Sequence, residues 1–169
     1  ALFVAAIVQA EEASRFERLT YNNPGLIVDL GVGLWAWPLP MDYDHDGDLD
    51  LVVCCPDVPH NGTYFFENPG GAGGAGKQND MPVFKPAVRI AEGLENVQVS
   101  YVDGEPRVLT PGTEHLDFIR SGFSNKRTLD LPTKFEETKI RANQWKYLDF
   151  DGDGRIDLVI GVEDWADYG

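Results

Sequence analysis

At 169 residues the chain has about the length of one domain, and 43% hydrophobic residues with 18 Gly and 11 Pro suit a turn-rich protein more than a helical one. A net charge of −14 argues against nucleic acid and anionic membranes as partners, because both repel a protein of that sign. The two cysteines are adjacent, Cys54-Cys55, with no CxxC or Cys/His cluster, which argues against a thiolate metal site.

The first ten residues read as the remnant of an export signal. Leu2-Phe3-Val4-Ala5-Ala6-Ile7-Val8 is an apolar core, and Val8-Gln9-Ala10 places small residues at a cleavage position before Glu11-Glu12. A buried first strand or short helix is the structural alternative. Export predicts a secreted, extracellular or cell-surface protein. No other stretch approaches the roughly 20 apolar residues of a membrane span.

Residues 11–34 lead into the first structural unit, with Phe16-Glu17-Arg18-Leu19 as a strand. The first unit, 35–90, opens on Trp35 and Trp37. The acidic run Asp42-Tyr43-Asp44-His45-Asp46-Gly47-Asp48-Leu49-Asp50 follows and enters the apolar strand Leu51-Val52-Val53. A further strand, Thr63 to Asn68, is entered through the Asn61-Gly62 turn. Pro69 to Asp80 is a Gly-rich surface insertion, and Phe84 to Ile90 is the closing strand. Alternation within the second strand sends Cys54 and Cys55 to opposite faces, as buried thiols or as a vicinal disulfide.

The second unit, 91–140, has no acidic loop. In its place Val97 to Thr110 reads as a strand, a tight Asp103-Gly104 turn and a second strand, and Phe135 to Ile140 closes the unit. The third unit, 141–169, brings Trp145 and a second acidic run, Asp149-Phe150-Asp151-Gly152-Asp153-Gly154-Arg155-Ile156-Asp157, feeding Leu158-Val159-Ile160. Amphipathic helices are not evident anywhere.

The two acidic runs are copies. Over twelve residues seven positions are identical and three exchange one apolar residue for another. Carboxylates at positions 1, 3, 5 and 9 with Gly at 6 suit a hard cation, which takes six to eight oxygens at roughly 2.3–2.6 Å. Together the runs hold nine of the 28 acidic residues, so two divalent ions would bring the net charge from −14 to −10. Aligning Asp50, Arg107 and Asp157 gives steps of 57 and 50 residues, the size of a propeller blade. The expectation is an all-β chain of β-propeller blades, each a four-stranded antiparallel sheet, forming an incomplete ring whose remaining blades lie in a missing C-terminal part.

These loops resemble those of the FG-GAP or VCBS repeat family, which includes the calcium-binding blades of integrin α-subunit heads. Both runs match its motif, Asp-x-Asp-x-Asp-Gly-x-x-Asp before an apolar strand, at every ligand position. The Phe-Gly and Gly-Ala-Pro signatures are poorly kept, which favours the broader bacterial-type branch. The resemblance implies two Ca²⁺ sites. Asp42, Asp44, Asp46 and Asp50 with the carbonyl of Asp48 would hold one ion. Asp149, Asp151, Asp153 and Asp157 with the carbonyl of Arg155 would hold the other. An EF-hand is excluded, since position 12 is Val53 or Ile160 where that loop needs a bidentate Glu and flanking helices.

No catalytic set is evident. His45, His60 and His115 are expected at the surface, and no Ser/His/Asp order, HExxH or nucleophile elbow occurs. Trp37 and Trp145 are expected on inner strands, as packing or as a platform for sugar rings. The function expected is a secreted calcium-binding recognition or adhesion module for a glycan or protein ligand. The alternative is the propeller part of a polysaccharide-degrading enzyme such as a polysaccharide lyase.

Overall fold

The computed structural model describes residue 32 and residues 34–70, 84–131 and 140–164. The export-signal reading, the strand expected near Phe16, most of the Gly-rich insertion, the run from Phe135 and Trp165 fall outside these residues.

The chain is all-β, as expected, and its described strands form three antiparallel sheets taken in chain order. The first contains β1 (Trp37–Met41), β2 (Asp50–Cys55), β3 (Gly62–Phe66) and β4 (Val88–Ala91). The second contains β5 (Gln98–Val102), β6 (Glu105–Thr110), β7 (Thr113–His115) and β8 (Lys126–Thr128). The third pairs β9 (Ile140–Leu148) with β10 (Asp157–Asp164). Spatial order equals chain order in both four-stranded sheets, so each is a simple meander. A single helical turn among the described residues, α1 (Phe118–Ser121), follows β7. Among the described residues no helix is long and apolar enough to cross a membrane.

Local chemistry accounts for the strands. β1 carries Pro38 and Pro40 two residues apart, so both missing N–H groups fall on one side of the strand. That pattern is tolerated only on an edge, and β1 is the edge of its sheet. β2 is an almost continuous apolar run with Val52, Val53, Cys54 and Cys55 all buried, the signature of a strand covered on both faces. The Asp103-Gly104 turn joins β5 to β6 with positive φ at both residues (54° and 83°), the conformation of a type I′ hairpin.

One apolar core joins the first two sheets. Leu39, Met41, Val52 and Cys54 pack with Val97, Val99, Val108 and Phe118. Cys54 and Cys55 are free thiols and both are buried. The Cys54 Sγ lies 3.1 Å from the Leu94 carbonyl and accepts from the Leu94 N–H at 3.0 Å, tying β2 to the connection between sheets. Burial pushes this thiol's pKa up, so it is an unreactive packing group. β5 lies against both β1 and β9, so the leading strands of all three sheets adjoin.

Candidate metal centre

Both acidic runs fold into the same loop, held by four matched hydrogen bonds from backbone N–H groups to carboxylates. The first-position carboxylate accepts from the sixth residue: Asp42 from Gly47 at 3.1 Å, Asp149 from Gly154 at 3.0 Å. The third accepts from the fifth, Asp44 from Asp46 at 3.2 Å and Asp151 from Asp153 at 3.1 Å. The fifth accepts from the seventh, Asp46 from Asp48 at 3.0 Å and Asp153 from Arg155 at 2.8 Å. The ninth accepts from the second, Asp50 from Tyr43 at 2.9 Å and Asp157 from Phe150 at 3.0 Å. These turns wrap the backbone around the carboxylates. The sharp reversal needs left-handed backbone at position 6, where Gly47 has φ 97° and Gly154 φ 83°.

The carboxylates converge. One oxygen from each of Asp42, Asp44 and Asp50 lies within 4.8 Å of the others, and the same holds for Asp149, Asp151 and Asp153. Asp42 Oδ1 is enclosed without a hydrogen-bond partner among the described residues. A buried carboxylate oxygen with no donor is costly unless a cation meets it. Asp44 shows the crowding: burial and then the charges of Asp50 and Asp46 raise its carboxyl above the ordinary value. The donor set is all oxygen, the chemistry of Ca²⁺, and the first loop fits such an ion.

The other expected ligands are placed differently. Asp46 is outside the first cluster. Asp48 was expected to contribute its carbonyl, and its carboxylate lies against Gly70, so that a Cβ at residue 70 would require that side chain to move. Asp157 is outside the second cluster, and Asp50, its counterpart, is better tied because Asn68 N–H also donates to it at 2.7 Å. In the second loop the Arg155 guanidinium bonds Asp153 Oδ2 at 2.6 Å, and this holds the Asp153 carboxyl below its ordinary value. The second loop thus carries its own counter-charge. Its aromatic residue, Phe150, is 74% exposed, whereas Tyr43 packs on Phe65 of β3 at 4.8 Å between ring centroids.

Sequence reasoning missed a buried polar cluster. Glu114 is fully buried and ion-paired to both Arg107 and Arg127, and it accepts from the Tyr147 hydroxyl at 3.2 Å. Arg107 also lies over the Tyr147 ring at 5.8 Å. Burial alone would raise the Glu114 carboxyl, but hydrogen bonds from the two arginines outweigh it and leave it lowered. The strong β-strand character of Arg107-Val108-Leu109 was legible; that β7 and β8 would bring Glu114 and Arg127 beside it was not.

His115 corrects the expectation of a surface histidine. It lies in β7, only 3% exposed, with Nε2 3.0 Å from Thr110 Oγ1 and its ring edge-on to Phe123. Burial, and then the charge of Lys126, lower its pKa. His45 and His60 are exposed. Trp145 is buried in β9, where Nε1 donates to Asn143 Oδ1 at 2.5 Å, so it is a packing residue and cannot offer an open platform. Trp37 stacks on the half-exposed Trp35 at 6.5 Å.

No protein-family model, curated protein or solved structure matches this chain.

Proposed function

We propose that the chain is a calcium-binding repeat module of the FG-GAP/VCBS type, exported from the cell, whose sheets are propeller blades and whose role is recognition of an extracellular glycan or protein. The observation that carries this reading is the duplicated loop. Two segments 107 residues apart adopt the same four-bond wrap and each gathers three carboxylates. Bound calcium would neutralise these acids and fasten each loop to its strand. Asp42, Asp44 and Asp50 are the core of the first site, and Asp149, Asp151 and Asp153 that of the second. The blade reading rests on the meander order of the two complete sheets and on the adjoining leading strands.

Recognition is favoured over catalysis by the state of the buried ionisable groups. Glu114 is committed to two arginines, and His115 is enclosed beside Thr110 and Phe123. Neither is presented to a substrate as a free acid or base.

Calorimetric titration of chelator-stripped protein should find two equivalents of Ca²⁺, with dissociation constants of about 10⁻⁴–10⁻³ M as in extracellular modules. Asp151→Ala should remove one equivalent and reduce the calcium-induced rise in melting temperature, leaving the chelated protein's melting unchanged. No uptake at millimolar calcium sinks the proposal. A glycan and protein array read with and without EDTA tests the recognition role. Release of unsaturated sugars from pectic polymers would instead identify a lyase.

A further inference from the structure

The second sheet has no acidic loop, yet it touches the strand in front of each loop. On β5, Tyr101 donates its hydroxyl to the Pro40 carbonyl at 2.6 Å, and the neighbouring Ser100 Oγ accepts the Tyr147 N–H at 2.9 Å. Pro40 stands two residues before Asp42, the first acid of loop one. Tyr147 stands two residues before Asp149, the first acid of loop two. Adjacent residues on a strand point to opposite sides, so one dipeptide can reach two neighbours.

Edge chemistry explains why these contacts exist. Among the described residues β1 and β9 are both edge strands, each hydrogen-bonded to a single neighbour. In a strand, a residue's N–H and C=O point the same way, so the open side of β1 presents the Pro40 carbonyl without an accompanying N–H. A β-ladder partner could not satisfy that position fully; a hydroxyl can. The open side of β9 likewise presents the Tyr147 N–H, and Ser100, itself buried, supplies the acceptor. Glu114 reinforces the second contact by accepting from the Tyr147 hydroxyl. Asp42 is also near enough to Tyr101 that, after burial, its charge helps raise the phenol's pKa.

We infer that Ser100 and Tyr101 are positioning residues for the two metal loops, and that β5 couples them as a rigid brace, so that ordering one loop by calcium favours ordering of the other. This rests on the calcium reading above and adds to it a role for the loop-free unit. The two contacts are separable by design. Tyr101 bears on loop one alone, and Ser100 on loop two alone.

The test places Tyr101→Phe and Ser100→Ala, each deleting one hydroxyl, in proteins that keep a single loop. Asp151→Ala retains loop one and Asp44→Ala retains loop two. Calcium affinity is measured by calorimetry, and exchange of the Tyr147 amide hydrogen by NMR, with circular dichroism checking the fold. A lost hydrogen bond of ordinary strength corresponds to roughly two- to tenfold in affinity. Tyr101→Phe should weaken loop one by about that factor and leave loop two unchanged, and Ser100→Ala should do the reverse while exposing the Tyr147 amide to exchange. Calcium should also bind the two-loop protein more tightly at each site than either single-loop protein. Normal calcium uptake with no loop-specific effect of either substitution overturns the brace and spares the calcium reading. Equal weakening of both loops by either substitution also overturns it, because that is general destabilisation. Absence of uptake by the unsubstituted protein overturns both.

Discussion

His45 and Gly152 occupy the fourth position of their respective loops, and both have left-handed backbone, with φ 64° and 78°. Only glycine takes this conformation without a steric cost, so loop one is strained where loop two is not. His45→Gly should stabilise the protein by up to about 1 kcal/mol, and Gly152→Ala should destabilise it by about 1 kcal/mol, read from urea unfolding. A Cβ at Gly152 would meet nothing within 4 Å, so the second cost is one of backbone alone. A stabilising Gly152→Ala would show that the loop's backbone differs from that described. His115 and Glu114 should both make stability fall in acid. The folded protein disfavours a proton on His115, while the unfolded chain accepts one near its ordinary pKa of 6.5. Stability should therefore fall as pH drops below about 6.5, and His115→Gln, which does not titrate, should flatten this decline. Glu114 is held below its ordinary 4.5, so its ion pairs contribute fully above that pH and are lost as pH falls further. Denaturant titrations from pH 7 to pH 3 resolve the two steps; a pH-independent profile would contradict both.

The two acidic loops share a backbone pattern but differ in charge balance. Position seven is Asp48 in the first and Arg155 in the second, and Arg155 is bonded to Asp153. Under the calcium proposal, an ion entering loop two must compete with that guanidinium, so loop one should be the tighter site. Arg155→Asp gives loop two the residue of loop one and should tighten its calcium affinity by several-fold at low salt, less at high salt, because exposed charges are screened over about 10 Å at 0.1 M. Calorimetry of the Asp44→Ala background measures this directly. Unchanged or weaker binding would mean that Arg155 assists the site, not that it competes. Loop one is also supported by β3 and the segment after it, through the Tyr43–Phe65 contact and the Asn68 N–H on Asp50. The described part of the third sheet has two strands and leaves Phe150, Ile156 and Val162 exposed. The same loop sequence thus sits in two packing environments.

Taken as a whole, the molecule concentrates its negative charge in two places while carrying −14 overall. Self-repulsion of that size opposes compaction unless counter-ions reduce it. With calcium chelated, added NaCl at about 0.5 M should raise the melting temperature, and with calcium present the gain should be much smaller. Equal salt responses in the two states would separate stability from the loops. The acidic loops as turns before strands and the Asp103-Gly104 hairpin were legible in the amino-acid order because each is a local matter. Their hydrogen bonds or steric constraints span a few residues, and the residue types that satisfy them are few. The burial of Cys54 was legible, but its contact with Leu94 and the environments of Glu114 and His115 were not. Nor was the pairing of Ser100 and Tyr101 with the loop-bearing strands, whose partners lie 47 and 61 residues away. The order of amino acids alone determined where the chain turns and where carboxylates crowd together. Only the packing of one sheet against the next decided which polar groups lost water, and a group deprived of water must find its partner among whatever distant residues the fold has brought beside it.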